Sequence, residues 1–187
     1  MRVVVSPGGE ASAQGLRVAE AMAGPNEPVV KLSQRGVKNL RRRLSRAEVH
    51  AIRGALRADA ELLIGYVCAG TAVPGVCPVG VASVVVADHV NLTWWSPLTG
   101  PNDDRLGPRF PVVAGTYRPQ WAVAAAGMGS VEGVVAGVRD DRRLTIFEKQ
   151  IVERHGIQAV SSELVAVGIL AAHMGLRVAA VVVLEGT

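Results

Sequence analysis

Short β-branched bursts alternate along this chain with stretches of helical spacing. Residues 2–6 (RVVVS) read as a strand, followed by the Gly-rich turn Pro7-Gly8-Gly9 and an Ala-rich helix over residues 14–23. Residues 28–32 form a second strand candidate, and a basic helical stretch covers roughly residues 46–58. The strongest buried strands are residues 61–67 (ELLIGYV) and 79–90, because β-branched runs of that length suit a sheet covered on both faces. Residues 130–138 predict another strand. Leu144, Phe147, Ile151 and Val152 then set helical spacing over residues 144–155. A short extended piece at 158–160, an apolar helix over 163–174 and a last strand over 177–184 follow. Gly156 and Gly175 stand just past the two helices, where C-terminal caps belong. Such alternation predicts an α/β fold: a single domain with a mixed or mostly parallel central sheet flanked by helices. No boundary or internal repeat divides residues 1–187.

One stretch has neither period. Residues 92–116 hold Pro97, Gly100, Pro101, Asn102, Asp103, Gly107, Pro108 and Pro111, which is the composition of a long connection between elements. Trp94, Trp95, Leu98, Leu106 and Phe110 give it apolar anchors that a solvated linker would lack. Long structured loops are usually functional.

Composition narrows the class further. A chain of 187 residues is long enough to bury a substantial core, and its 49% of apolar residues come in runs far short of the ~20 a membrane span needs. The apolar start is too short for a signal peptide and Glu10 soon follows, so a soluble cytoplasmic protein is expected. Cys68 and Cys77 fit neither a redox pair nor a zinc site; two buried free thiols are the reading, with a disulfide left open. The net charge of +4 owes much to RRRLSR at residues 41–46. No aromatic residues interleave with these charges, which argues for a solvated helix face over a nucleic-acid partner.

The wording of the long connection carries more. DHVNL at 88–92, followed by GPNDDRLGPRFP at 100–111, resembles the purine nucleoside phosphorylase family, with the likeness clearest over residues 61–187. The resemblance implies a nucleoside phosphorylase-like fold and a nucleoside as ligand. Phosphate is the possible co-substrate, and no cofactor or metal is implied. In trimeric members the phenylalanine of the RFP motif closes the ribose pocket of a neighbouring subunit, so Phe110 implies a trimer with a shared site edge. A polar, Pro-rich loop carrying an apolar side chain also wants a covering surface, either a partner's or its own domain's.

The same resemblance distributes the remaining candidates. LIGYVCAG at 63–70 looks like the family's base-lining strand and turn, with Tyr66 in place of a small amide and the closing Gly70 retained. Where relatives read purine with a Phe-Glu pair, this chain has Arg143 and Leu144; Thr145 and Glu148 agree. A leucine accepts no hydrogen bond from a base N–H, so that purine readout is absent. In GIQAVSSELVAVGILAAHMGLRV at 156–178, Val160 agrees, while Ser161, Ser162 and Glu163 replace the family's Gly-Met-Ser. Glu163 matches the nucleosidase and hexameric branch, in which a glutamate binds the ribose 2′- and 3′-hydroxyls. A helix-capping role, with Ser161 or Ser162 as the cap, is the alternative. Glu185 stands near the family's proton donor, although so close to the end of the sequence it is expected to be frayed. For phosphate, the candidates are Ser6 and Gly8 in the first strand–turn–helix and Arg35 downstream. His89 lies in the DHxNL motif, with Asp88 expected to orient it.

Two functions compete on this evidence. One is cleavage of the N-glycosidic bond of a nucleoside by phosphate or water. The other is a noncatalytic phosphorylase-fold subunit, structural or regulatory, associating with itself or with an active related chain.

Overall fold

A computed structural model describes residues 2–5, 17–18, 21–22, 29–31, 63–140 and 144–185. Seven strands form one mixed sheet: β1 (Arg2–Val5), β2 (Val29–Lys31), β3 (Leu63–Ala72), β4 (Ser83–Asn91), β5 (Ser130–Gly137), β6 (Ala159–Ser161) and β7 (Arg177–Leu184). Among the described residues, besides helical turns at 17–18 and 21–22, helices run as α1 (Val123–Ala126), α2 (Ile146–Arg154) and α3 (Leu164–His173). The predicted basic helix at 46–58 lies outside the described residues, as does the block at 41–46.

The strand order is β2-β1-β3-β6-β5-β4-β7, and β7 also pairs with β3. Five strands, β3-β6-β5-β4-β7, therefore close into a ring, and β1 and β2 extend from it. Strand β3 makes both connections possible. Along one edge its Ile64–Val67 stretch pairs in parallel with β1, and further on Thr71 and Ala72 pair antiparallel with β6. Its other edge pairs in parallel with β7 from Leu63 to Gly70. This strand runs five residues beyond the end of its apolar sequence burst at Val67, because β7 pairs with Cys68, Ala69 and Gly70 and β6 then takes up Thr71 and Ala72. Conversely, β4 starts at Ser83 instead of residue 79: Val79 is fully exposed in a turn, and pairing begins only where β7 and β5 flank the strand.

Alternation along β7 divides the core. Val178, Ala180, Val182 and Leu184 join Tyr66, Cys68, Val84 and Val86 under α3, in a cluster that includes Leu164, Val167 and Leu170. Ala179, Val181 and Val183 face the other way, onto Val67, Val85, Ala122 and the helical residues Val18 and Met22. Val18 and Met22 are buried while Arg17 and Ala21 are exposed, which fits the expected Ala-rich helix there. Both faces of the central strands are covered, as their apolar runs require. A third cluster packs Val152 of α2 on Val73, Ala136 and Val160.

Helix α2 begins one residue after Thr145, which forms a reciprocal capping box with Glu148. Only Val152 of this helix is buried; Phe147, expected on the inner face, is 69% exposed. Gly156 and Gly175 adopt positive φ just beyond α2 and α3, as capping glycines do. Both cysteines are free, Cys68 buried and Cys77 half-buried, and burial pushes the Cys77 thiol up.

Candidate active site

The ends of β3, β6 and β7 converge where α3 begins. Ser161, the last residue of β6, donates from its hydroxyl to the Ala69 carbonyl at 2.8 Å. The same oxygen accepts the Glu163 backbone N–H at 3.3 Å and lies 3.7 Å from the Cys68 sulfur. One serine thus ties β3, β6 and the first turn of α3 together, and of the two serines expected as caps it is Ser161 that receives an N–H. Glu163 occupies the N-cap position of α3, 2% exposed. A carboxylate there faces the positive end of the helix dipole. Ser162 beside it is half-buried.

Gly70 sits at the tightest point. A Cβ on it would lie 2.5 Å from a Val182 methyl and 2.6 Å from the Val160 carbonyl, so no other residue fits between β6 and β7. The Gly70 carbonyl accepts the Glu185 backbone N–H at 2.9 Å. Glu185 is exposed, and this backbone bond holds it at the end of β7. Tyr66 lies in the middle of β3, wholly buried, four residues before Gly70, where its ring fills the core under α3.

On the other side of β6, Val160 lines a cavity of about 360 Å³. Thr71, Ala72, Val73 and Pro74 from the end of β3 form one wall; Leu144, Lys149, Val152 and Glu153 form the other. Leu144 therefore shares this cavity with Val160. Lys149 and Glu153, one turn apart on α2, supply its charged groups. The sequence offers no advance signal for either, since an exposed Lys and Glu at that spacing suit any solvated helix.

The long connection at 92–116 is irregular throughout, as predicted, but closely braced. Asn91 accepts from the Thr93 N–H at 3.0 Å and donates to the Trp95 carbonyl at 2.8 Å. Asn102 donates to Asp104 and to the Gly107 carbonyl, Arg105 is paired with Asp103 at 2.8 Å, and Arg109 donates to the Gly100 carbonyl at 2.8 Å. Trp95 and Leu98 pack on the core. Phe110 does not: it is 84% exposed, with the Arg109 guanidinium 5.8 Å from its ring centre. The reading in which Phe110 packs on its own domain is thereby overturned. The loop is attached at the His173 end of α3, and ten residues of helix, about 15 Å, separate that end from Glu163.

His89 has a different partner from the one its motif suggested. Asp88 accepts the backbone N–H of His89 at 2.8 Å, whereas the ring Nδ1 lies 2.7 Å from the Tyr117 hydroxyl, edge-on to that ring. Burial pushes the His89 imidazole below its ordinary value, opposed by the Asp88 charge, and burial drives the Tyr117 phenol well up. Ser6, Gly8 and Arg35 lie outside the described residues. Among the described residues no cluster of three or more His, Cys, Asp or Glu side chains suits a metal ion, and no helix is long and apolar enough to cross a membrane.

The model of the Phosphorylase superfamily matches residues 25–186, and the chain belongs to that family. Purine nucleoside phosphorylase of Mus musculus is 33% identical over 106 residues, covering 51% of this chain and 37% of the relative. That of Anopheles gambiae is 34% identical over 104 residues, 50% of this chain and 30% of the relative. The matched part is thus about a third of these curated relatives. Isoform 2 of the Schistosoma mansoni enzyme, solved with cytosine and ribose-1-phosphate, superposes with a TM-score of 0.73 at 19% identity over 98% of this chain and 76% of its own. A second purine nucleoside phosphorylase structure from that organism, with BCX-34, gives 0.56 at 22% identity over 65% and 49%. At these identities the superpositions establish a nucleoside phosphorylase fold.

Proposed function

We propose that this protein cleaves the N-glycosidic bond of a nucleoside, with phosphate or water as the attacking group. The observation that carries this reading is the convergence of Gly70, Ser161, Glu163 and Glu185 at one set of strand ends, with the cavity lined by Val160 and Leu144 across β6 from them. In this reading Glu163 accepts hydrogen bonds from the two vicinal ribose hydroxyls, a bidentate use of an ionised carboxylate. Ser162 and Val160 border the sugar, and the base enters the cavity toward Leu144. Glu185 is the general acid for the departing base. Ser6, Gly8 and Arg35 are the phosphate candidates. The purine-reading glutamate is absent, so the base is selected by other contacts, for which the cavity offers Thr71, Lys149 and Glu153.

Phe110 completes the site from a second copy. Its exposure, and the attachment of its loop at the far end of α3 from Glu163, favour a neighbour's pocket over its own. The assembly is a trimer on this view, or a hetero-oligomer with a related subunit, in the cytoplasm.

A second reading is a noncatalytic subunit that keeps the fold and the loop. It is favoured by Leu144 standing where a purine-reading acid would be. Phosphorolysis and hydrolysis assays over a nucleoside panel separate the two, with Glu163→Gln as control. Activity that falls at least about a hundredfold in Glu163→Gln supports the first reading. No turnover of any nucleoside by the purified oligomer supports the second.

A further inference from the structure

His173 ends a helix that is otherwise apolar, and its side chain is wholly buried. Its Nδ1 lies 2.9 Å from the Pro108 carbonyl oxygen. A carbonyl only accepts, so Nδ1 carries the proton and donates. The other ring nitrogen, Nε2, is buried with no hydrogen-bond partner among the described residues. Leucine would fill this place without an orphaned polar atom, whose burial is costly. The histidine is explained by the one bond it makes.

The loop is shaped to receive that bond. Gly107 rests directly on the backbone carbonyl of His173, where any Cβ would overlap it. The Gly107 carbonyl is itself held by Asn102 at 3.0 Å, and Arg109 reaches back to Gly100. Residues 100–109 thus form a self-braced unit, joined to α3 at Gly107 and Pro108. Phe110 is two residues further on.

We propose that His173 is a positioning residue, a latch that holds the braced loop against α3 and so determines where Phe110 is presented. Its bearing on a second copy rests on the reading of Phe110 above. The latch itself does not, because it is measurable within one chain. With the Nδ1 bond in place the loop backbone cannot slide along the helix, and Phe110 projects from a fixed base.

Limited tryptic cleavage of the full chain after Arg105 and Arg109, followed by mass, reports the latch, with hydrogen exchange in β4 and β7 reporting the body. His173→Leu is expected to raise cleavage at both bonds about five- to tenfold, the weight of one buried hydrogen bond, with strand exchange unchanged. His173→Asn, whose side-chain amide can donate near the Nδ1 position, is expected to restore most of the protection. Gly107→Ala, acting from the loop side, should reproduce the leucine variant. The proposal is overturned if the leucine variant leaves the loop as protected as before. It is equally overturned if exchange in β4 and β7 rises in step with cleavage, or if asparagine protects no better than leucine. Sedimentation separates the two readings. A protein that stays monomeric, or associates equally well as Phe110→Ala, removes the docking role of Phe110, whereas the latch stands or falls on cleavage.

Discussion

The loop at 92–116 and the strand-end site are built by opposite means. Most of the loop's bonds are local: Asn91 with Thr93 and Trp95, Asn102 with Gly107, and Arg109 with Gly100 across nine residues. The site is built from distant pieces. Ser161 reaches Ala69 across 92 residues, and Gly70 meets both Val160 and the backbone of Glu185. A locally braced loop keeps its shape through its own words, which is why DHVNL and GPNDDRLGPRFP remain readable as a family signature. A site assembled from strand ends depends instead on segments far apart in sequence meeting, as the Ser161–Ala69 bond illustrates.

If this contrast is right, substitutions should act very differently in the two regions. The largest effect is expected at Gly70. A valine there must displace both a methyl of Val182 and a backbone carbonyl that cannot yield, so urea denaturation should show a loss of about 3 kcal/mol. Arg109→Ala in the loop should cost under about 0.5 kcal/mol by the same measurement, since its bond is exposed. Equal costs at the two positions would remove the contrast.

A smaller effect, opposite in sign, is expected at Trp94. It is the non-glycine residue with positive φ among those described, at 56°, and its side chain is 87% exposed. The turn of Asn91, Thr93 and Trp95 imposes this conformation while the ring packs on little. Trp94→Gly should therefore raise stability by about 1 kcal/mol by thermal or urea unfolding. A destabilised variant would mean that the indole makes contacts worth more than the strain.

The smallest effect concerns the His89–Tyr117 pair, which joins the end of β4 to the end of the loop. The imidazole's affinity for a proton is lower folded than unfolded, where the ordinary value is 6.5, so below that pH the unfolded chain takes up more protons. Stability is therefore whole above about pH 6.5 and falls as pH drops below it. The raised Tyr117 phenol acts at the other limit, with stability falling above its ordinary value of 10.0 as the unfolded chain ionises first. Melting temperatures at pH 7.5 and 5.5 should differ more for the native chain than for His89→Gln. Identical slopes would assign the acid sensitivity to other groups.

Much of the architecture was legible because periodicity is a local property. The strand at 177–184 was located to the residue, and Gly156 and Gly175 marked the ends of α2 and α3. Where neighbours decide, local reading stopped short. Thr71 and Ala72 become strand because β6 arrives beside them, and Phe147 turns outward because Val152 alone meets the core. His173, a single polar residue on an apolar helix, was a visible signal whose partner was not: Pro108 lies 65 residues away.

By itself, the sequence determined the alternation of strands and helices, the helix caps and the family to which the chain belongs. These depend on neighbours along the chain and on words that survive as words. The closure of five strands into a ring was decided only in three dimensions. So were the burial of Glu163 beside Gly70 and Ser161, and the pairing of His89 with Tyr117 and His173 with Pro108. Each requires groups far apart in sequence to meet, and that meeting is set by the packing of the whole fold.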